Sequence, residues 1–359
     1  MKFFSNKTNH LIGLDISDYS LKAVQLKKVS DQIKVHALGR VDLPAGIIEQ
    51  GEIKKEKEAS TFLRSLLNEP VFGKFSGHAL AACLPETKTF IKLLVISKSP
   101  NKLADLVEAE ALKHLPFRRP DIYLDWQLVK EDEESWQVLV GAVPRYLADQ
   151  YVDFFDKLNL NCEALEIEPL TICRALLKEE SPVLSIKLPP TNYLVIDLGA
   201  ARSSLIFYSG VTILFTASLP FSGRRITSQI ADNLKISFNQ AEKEKISYCD
   251  GAKNKEAIEK IIRENLEELA QKIGEALEYY LDYFSDRGSI NRVLLTGGGA
   301  NLFGLEKVVS DIISASTQIG DPLTNLQVSA EERKSIFSLG DREADEFTTA
   351  IGLALRDFV

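Results

Sequence analysis

The chain contains 359 residues, of which 45% are hydrophobic and 26% charged, and its formal net charge is −8 at pH 7. The length predicts two packed domains, and the composition is that of a globular protein, which excludes a disordered chain. The negative charge, without a basic patch in the sequence, argues against nucleic acid as the main ligand.

The first predicted elements form a three-stranded meander over residues 11 to 44. Its apolar runs LIGLDIS, LKAVQLKKV and IKVHALGRVDLP are separated by short polar breaks, which is typical of antiparallel hairpins. A helix at about 55 to 68 and the strand HALAACLP follow. Residues 87 to 161 then alternate as strand, helix, two strands and helix, and this βαββα block predicts an inserted subdomain. The segment CEALEIEPLTICRALLK supplies a strand and a helix that return to the first domain.

The second half of the chain begins after a predicted linker, residues 180 to 191, which contains three prolines. YLVIDLG, SSLIFYSG and VTILFTASLP repeat the three-strand meander. Three helices are then predicted at about 223 to 233, 239 to 248 and 254 to 286. The strand RVLLTGGG, a helix from about Gly304 and a closing helix near 345 to 356 complete the chain.

An internal repeat predicts two related hairpins. Setting LIGLDISDYSLKAVQL against YLVIDLGAARSSLIFY places Asp15 on Asp197 and Ser17 on Gly199. Two such hairpins that face each other across a cleft suit a nucleoside triphosphate, because turn N–H groups and hydroxyls hold phosphate and paired carboxylates hold hydrated Mg²⁺. Asp15 and Asp197 are therefore the predicted Mg²⁺ residues, acting through water. For either copy alone, an ordinary strand-end aspartate before a turn is the alternative.

The segment TGGGANLFG at 296 to 304 adds a third candidate element. Its three consecutive glycines follow a strand and precede a helix, so the backbone can approach a ligand closely. A plain turn between strand and helix is the alternative, although such a turn needs one glycine. The segment lacks both the GK[ST] of a phosphate-binding loop and the GxGxxG of a dinucleotide site.

These three segments resemble the phosphate 1, phosphate 2 and adenosine motifs of the actin, Hsp70 and sugar kinase superfamily. Within it, the chain resembles the PilM family of type IV pilus assembly proteins, which is related to FtsA, almost from end to end. The resemblance is carried by IGLDISDYSLKAVQL, EAEALKHLPF, EIEPLTICRALL, LPFSGRRITSQIADNL, AEKEK, LTGGGANLFGLEKVV and AIGLALR.

The resemblance implies an α/β protein with the actin-like ATPase fold, built of two duplicated RNase H-like halves with an inserted βαββα subdomain. The domains expected on this basis are 1–86 with 162–180 (first subdomain), 87–161 (insertion, partner binding), 192–233 with 287–359 (second subdomain) and 234–286 (helical subdomain).

The resemblance also implies the residues of an ATP site. Those implied to surround the β and γ phosphates are Asp15, Ser17, Ser20 and Lys22 from the first half and Asp197, Gly199, Ser203 and Ser204 from the second. Those implied to lie at the adenosine, ribose or α phosphate are Glu242, Lys245, Gly297, Gly298, Gly299 and Asn301. Glu168 is implied to position the attacking water and is the catalytic candidate.

Each of the sharper assignments has a plain structural alternative. Lys22 suits phosphate as a point charge but is also explained as an exposed strand lysine. Glu242 and Lys245 are also explained as an ion pair on one helix face, and Glu168 as a cap of the helix that follows it.

Two departures from the family pattern bear on activity. The family usually has glycine at Ser17 and hydroxyl residues at Ala201 and Arg202. Ser17 can restrict the first turn, and Arg202 either adds a phosphate contact or fills the site when nucleotide is absent. We therefore expect tight Mg·ATP binding with slow or undetectable ATP hydrolysis.

The resemblance implies a cytoplasmic protein held at the inner membrane through partners. The implied partners are the cytoplasmic tail of a PilN-type membrane protein, the pilus motor ATPases and further copies of the chain. The candidate surface is the block 87 to 161, with Phe117 and the strand IYLDWQLV, although these aromatics are equally explained as its core. No apolar run approaches the roughly 20 residues that span a bilayer, and no signal-peptide pattern is present, so neither insertion nor export is expected.

Other functions stay open from the sequence. An FtsA-like cell-division protein and an actin-like component of a type II secretion or MSHA-type pilus system are the alternatives within the superfamily. A sugar or acetate kinase is disfavoured because no further cluster of Asp, His and Arg is visible. The dispersed histidines and the cysteines Cys83, Cys162, Cys173 and Cys249 give no metal-binding or disulfide pattern.

Overall fold

The computed structural model describes residues 11–115, 118–178, 191–210, 212–247, 254–337 and 341–358. Apart from Thr191, the predicted linker, residues 180–191, lies outside these ranges, as do Phe117 and Cys249. The chain divides into two compact units: residues 1–184, 211–214 and 321–359 form the first, and residues 185–210 and 215–320 form the second. In the described ranges, no helix combines the length and apolar composition needed to cross a bilayer.

The first unit is built around a mixed sheet of six strands. The strands of the whole unit are β1 (Ile12–Ile16), β2 (Ser20–Val29), β3 (Gln32–Asp42), β4 (Ile48–Glu49), β5 (Glu52–Ile53), β6 (Phe72–Gly73), β7 (Ala79–Leu84), β8 (Phe90–Ser97), β9 (Ile122–Glu131), β10 (Ser135–Pro144) and β11 (Asn161–Ile167). Its first four helices are α1 (Glu56–Asn68), α2 (Leu103–His114), α3 (Arg145–Asp156) and α4 (Glu168–Leu176). A six-stranded sheet has the order β11-β7-β1-β2-β3-β6.

The predicted meander is confirmed, since β1, β2 and β3 pair in antiparallel fashion. β7 and β11 then join β1 as parallel strands. β1 and β7 are buried along their whole length, as expected for central strands with near-continuous apolar sequence. The carboxyl ends of β1, β7 and β11 therefore lie at the same edge of the sheet, and this edge carries Asp15, Cys83 and Glu168.

The predicted βαββα block folds in that order, as β8, α2, β9, β10 and α3. β8, β10 and β9 pair in antiparallel fashion and share a small core with α2, including Val107 and Val140. α3 packs instead with the elements of the six-stranded sheet: Tyr151 and Phe155 belong to the same core as Leu14 and Leu63. This helix joins the larger core because its amphipathic sequence places several large side chains on one face.

The second unit repeats the plan of the first. Its strands are β12 (Asn192–Leu198), β13 (Ser203–Ser209), β14 (Thr212–Leu219), β15 (Arg292–Thr296) and β16 (Ser316–Ile319), and its helices are α5 (Gly223–Leu234), α6 (Phe238–Ser247), α7 (Lys255–Phe284) and α8 (Leu305–Ile313). The strand order is β16-β15-β12-β13-β14, with β12 antiparallel to β13 and parallel to β15. The three helices predicted after the meander agree with α5 to α7 within two residues at each end.

The C-terminal segment corrects the expected domain assignment. Residues 287–359 were assigned to the second subdomain, but 321–359 belong to the first unit. The helices of this segment are α9 (Ala330–Ile336), α10 (Asp341–Ala344) and α11 (Thr348–Ala354). Phe347 and Ile351 share a core with Val24 and Leu38 of the first sheet. Periodicity identified the apolar face of these helices, but it does not specify which sheet covers that face.

α11 lies unusually close to its neighbours because glycines face them. A Cβ added at Gly352 would lie 1.8 Å from the carbonyl oxygen of Thr171 in α4. A Cβ added at Gly13 of β1 would lie 2.2 Å from the carbonyl oxygen of Ala350. Distances below 3 Å between such atoms require the backbone to move, so glycine is needed at both positions.

We expect Gly352→Ala to lower the free energy of unfolding by at least about 3 kcal/mol, because the new methyl group must displace the main chain of α4. Gly274→Ala is the matched control, since it lies in α7 and its Cβ would meet no described atom within 4 Å. Both substitutions improve helix propensity, so the control should gain about 0.5 to 1 kcal/mol. Equal stabilities of the two variants in denaturant unfolding would contradict the close approach.

Candidate functional site

In the first unit, candidate residues lie at the end of the β1–β2 hairpin. Asp15 and Lys22 are cross-strand partners, and their side chains form an ion pair of 3.3 Å between Nζ and Oδ2. The two side chains are 8% and 13% exposed, so the pair is largely removed from water. Cys83, at the end of the neighbouring strand, donates to the other oxygen of Asp15 across 3.7 Å. Lys22 is therefore not an ordinary exposed strand lysine.

Ser17 and Ser20 close the hairpin turn between these strands. The Ser17 N–H and hydroxyl donate to the Ser20 carbonyl, each across 3.0 Å. The Ser17 hydroxyl also accepts from the Ser20 N–H at 3.2 Å and lies 3.1 Å from the Ser20 hydroxyl. Both hydroxyls are thus engaged within the turn, so a phosphate contact from either one would share or replace these bonds.

Glu168 begins α4, where a carboxylate also interacts favourably with the helix dipole. Its carboxylate lies beside Asp15 and Cys83, since one ligand atom from each residue falls within 4.8 Å of the others. The structure brings Glu168 and Asp15 together; the sequence analysis did not identify Cys83 as their neighbour. Burial, together with the charges of Asp15 and Glu168, raises the pKa of the Cys83 thiol well above its usual value, so it stays protonated.

In the second unit, the β12–β13 hairpin repeats this arrangement. Asp197 pairs with Ser204 across the strands, and the Gly199 N–H donates to the Arg202 carbonyl at 2.9 Å. A Cβ at Gly199 would lie 2.5 Å from that carbonyl oxygen, so the turn requires glycine. Ser203 is buried, and its hydroxyl has no hydrogen-bond partner among the described residues.

The turn of this hairpin rests on the first residues of α5. The Gly223 N–H donates to the Gly199 carbonyl at 3.2 Å, and the Arg224 N–H donates to the Ala200 carbonyl at 3.1 Å. The N-terminus of α5 is therefore fixed beside the turn, as in sites where a helix dipole and a glycine turn act on the same anion.

Glu242 and Lys245 of α6 form the expected ion pair, at 2.9 Å. Lys245 also donates to the Thr227 hydroxyl at 2.9 Å and to the Gly223 carbonyl at 3.2 Å, and the Thr227 hydroxyl bonds the Glu242 carboxylate. The pair therefore belongs to a network at the start of α5 and is not only a surface pair. Sequence reasoning missed Thr227, although its spacing of four residues from Gly223 places both on one helix face.

The three consecutive glycines have different surroundings. A Cβ at Gly297 would lie 2.7 Å from Oδ1 of Asp197, and a Cβ at Gly299 would lie 2.9 Å from the Leu198 main chain. Gly297 also has a φ of +79°, which favours glycine. A Cβ at Gly298 would meet no described atom within 4 Å. Gly297 and Gly299 thus allow the loop to pack closely against β12, whereas Gly298 borders open space. Asn301 lies in the same turn of 3-10 helix as Gly298.

The structure therefore groups the candidate residues into two sets. The first-unit set is Asp15, Ser17, Ser20, Lys22 and Glu168. The second-unit set is Asp197, Gly199, Ser203, Ser204, Glu242, Lys245, Gly297, Gly298, Gly299 and Asn301. The facing of Asp15 and Asp197 across one cleft stays a prediction.

We expect Lys22→Met to lower the free energy of unfolding by about 3 kcal/mol at pH 7, because the buried Asp15 carboxylate loses its counter-charge. Adding Asp15→Asn to this variant should restore part of the loss. Lys28→Met on the same strand is the control: its ion pair with Asp31 is exposed, so the change should stay within about 0.5 kcal/mol. Similar losses in both single variants, measured by urea unfolding, would contradict a special role for the Asp15–Lys22 pair.

Known proteins resemble this chain in sequence and in fold. The family model of the type IV pilus assembly protein PilM matches residues 13–358. The solved PilM-PilN type IV pilus biogenesis complex is similar over 97% of this chain and 98% of its own, with 23% identity and a TM-score of 0.79. MreB5 of Spiroplasma citri bound to ADP is similar over 96% of this chain and 95% of its own, with 14% identity and a TM-score of 0.56. The actin-like fold is confirmed.

A curated relative is the cell division protein FtsA of Enterococcus faecalis. It is 22% identical over 370 residues, which cover 88% of this chain and 79% of FtsA.

Proposed function

Because the chain belongs to the family of the type IV pilus assembly protein PilM, we propose that it is an ATP-dependent scaffold of the inner-membrane platform that assembles these pili. It binds Mg·ATP with residues of both candidate sets and hydrolyses it slowly or not at all. The observation that carries this proposal is the glycine triplet, where Gly297 and Gly299 pack against β12 and Gly298 alone borders open space.

The first-unit set has the chemistry that a magnesium triphosphate needs. Oxygen ligands suit Mg²⁺, which keeps most of its waters, and the neighbouring carboxylates of Asp15 and Glu168 offer such ligands. The protonated thiol of Cys83 is a poor ligand for this hard cation and serves instead as a hydrogen-bond donor to Asp15. Lys22, whose Nζ lies 3.3 Å from the Asp15 carboxylate, would be the residue that donates to a phosphate oxygen of the bound nucleotide.

The second-unit set supplies contacts for the rest of the nucleotide. The buried Ser203 hydroxyl, next to the turn at Gly199, has no hydrogen-bond partner among the described residues and can donate to a phosphate oxygen. The positive end of the α5 dipole lies at the same turn. Lys245 and Glu242 lie beside this turn and bind the ribose. Similarity to MreB5, solved with ADP and with AMPPNP, supports a nucleotide of this class.

Slow turnover follows from the same contacts. Glu168 lies close enough to Asp15 to share its cation, which leaves it a poor general base for water. Ser17 and Ser20 bind each other across the first turn, so the turn is stiffer than a glycine turn. The nucleotide therefore acts mainly as a stabilising ligand.

Gly298→Ala tests the nucleotide proposal. Because the added methyl group meets no described atom of the protein, thermal stability without nucleotide should not change, whereas Mg·ATP affinity should fall by at least about tenfold, or about 1.4 kcal/mol. Calorimetric titration with Mg·ATP gives the affinity, and Gly274→Ala in α7 is the control that should bind as the unaltered chain does. Unchanged ATP binding by Gly298→Ala would sink the proposed position of the nucleotide.

We propose that the chain reaches the membrane through a partner, the cytoplasmic tail of a PilN-type protein. The similar solved complex contains PilM and PilN, which supports this partner. β9 is the outermost strand of its sheet among the described strands, and its Tyr123 and Leu128 side chains are exposed. An extended tail adds to such an edge through main-chain hydrogen bonds, with side chains seated on alternate residues. Contacts with motor ATPases and self-association belong to the same proposal.

We expect Leu128→Lys to weaken capture of a synthetic PilN-type tail peptide by about tenfold, since it removes an exposed apolar contact on the edge strand. A deletion of residues 87–161 is unsuitable, because α3 packs in the core of the six-stranded sheet. Val29→Lys is the matched control, being a similarly exposed apolar residue at the end of β2. Fluorescence anisotropy with a labelled peptide measures both, and equal affinities would place the tail elsewhere.

A further inference from the structure

The turn between β1 and β2 is held by a second, much shorter hairpin. The Asp18 carboxylate accepts the main-chain N–H of Gln50 at 3.0 Å and that of Gly51 at 2.9 Å. Gln50 and Gly51 form the two-residue turn between β4 and β5, and both have positive φ, at 50° and 75°. A turn of this kind presents successive N–H groups to one anion, so a single carboxylate binds both.

The other side of this β4–β5 hairpin (Ile48–Ile53) is bound to α3. The hydroxyl of Tyr151, a fully buried residue, donates to the Gly51 carbonyl at 2.8 Å. The Gln150 side chain accepts from the Ile53 N–H at 2.9 Å and donates to the Ile53 carbonyl at 3.2 Å. Gly51 cannot be replaced here, because a Cβ would lie 2.3 Å from the ring of Pro85.

A third polar contact strengthens the connection. The Tyr146 hydroxyl, also on α3, donates to the Glu52 carboxylate at 3.2 Å. Lys54 and Lys88 hydrogen-bond the same carboxylate and hold the pKa of Glu52 at about 2, well below its usual value. Glu52 therefore stays ionised at all physiological pH values and keeps accepting these bonds.

We propose that the β4–β5 hairpin couples the β1–β2 turn to α3, so that nucleotide at the turn and the state of the β8–β10 block, which α3 directly follows, influence each other. This inference rests on the proposed nucleotide site. Asp18 is a positioning residue that acts through the hairpin. The hairpin is joined to the turn by Asp18 and to α3 by Tyr151, Gln150 and Tyr146, so the loss of the Asp18 or the Tyr151 bond weakens the connection between the two ends.

Thermodynamic linkage makes the coupling between nucleotide binding and the order of α3 reciprocal. Nucleotide that orders the β1–β2 turn also orders the hairpin and α3, and whatever orders α3 raises nucleotide affinity by the same factor. α3 begins at Arg145, directly after the last residue of β10, so a tail bound on the β8–β10–β9 sheet acts on the same helix. The chain can thereby bind its partner more tightly when ATP is bound.

Hydrogen exchange on the full chain tests this coupling. In the unaltered chain, Mg·ATP should slow amide exchange in residues 47–54 and in 145–156. Asp18→Asn should speed exchange in both segments without nucleotide and weaken ATP binding by about tenfold, because an amide accepts only one of the two N–H groups well. Tyr151→Phe should keep ATP affinity within about threefold and keep the response of 47–54, but reduce that of 145–156, because it removes one of the bonds between α3 and the hairpin. Asp31→Asn, an exposed turn acid, is the control and should change nothing.

The outcomes separate this inference from the proposed function. If ATP binds but leaves 145–156 unchanged, or if Tyr151→Phe keeps the full response there, the coupling is wrong and the nucleotide site stands. If the unaltered chain does not bind ATP, the proposed function fails. The exchange rates measured without nucleotide then test whether the turn and α3 are connected. Faster exchange of 145–156 in Asp18→Asn than in Asp31→Asn would then still support the connection, and equal exchange would overturn it.

Discussion

Close approach of main chains at glycines is the constraint on which both candidate sets depend. In the first unit, Gly13 and Gly352 allow α11 to lie directly on β1 and α4. In the second unit, Gly297 and Gly299 allow the glycine loop to lie directly on the end of β12. A side chain at any of these positions would separate the elements, and the strand ends that carry Asp15 and Asp197 would lose their support.

A buried ionic cluster also fixes the position of the C-terminal segment against α4. Glu166, only 6% exposed, accepts from Arg174 at 2.7 Å and from Arg356 at 2.6 Å. Arg174 also donates to the Gly352 carbonyl at 2.8 Å. Such a cluster adds little net stability, because burying charge is costly, but it specifies one register of α11 against α4. The glycine contact and the cluster thus define a single position for the last helix, and that position supports the strand end bearing Asp15.

The two units use the same plan with different chemistry. In each, an aspartate near the end of a strand precedes a tight turn, and a lysine lies nearby. In the first unit Lys22 forms an ion pair with the strand-end Asp15 itself, so the two side-chain charges neutralise each other. In the second, Lys245 binds Glu242, Thr227 and the Gly223 carbonyl. The first lysine therefore neutralises a buried strand-end carboxylate, whereas the second joins α6 to the start of α5.

The repeated meander, the strand-end position of Asp15 and Asp197 and the glycine loop could be predicted from the sequence, because they are local patterns of apolar residues and turn formers. The packing of residues 321–358 on the first sheet, the contact of Cys83 with Asp15 and the bonds of Asp18 to Gln50 and Gly51 became visible in the folded structure alone. Each of these contacts joins residues far apart in the chain. Periodicity records which face of an element is apolar, whereas the identity of the distant neighbour depends on how all the elements pack together.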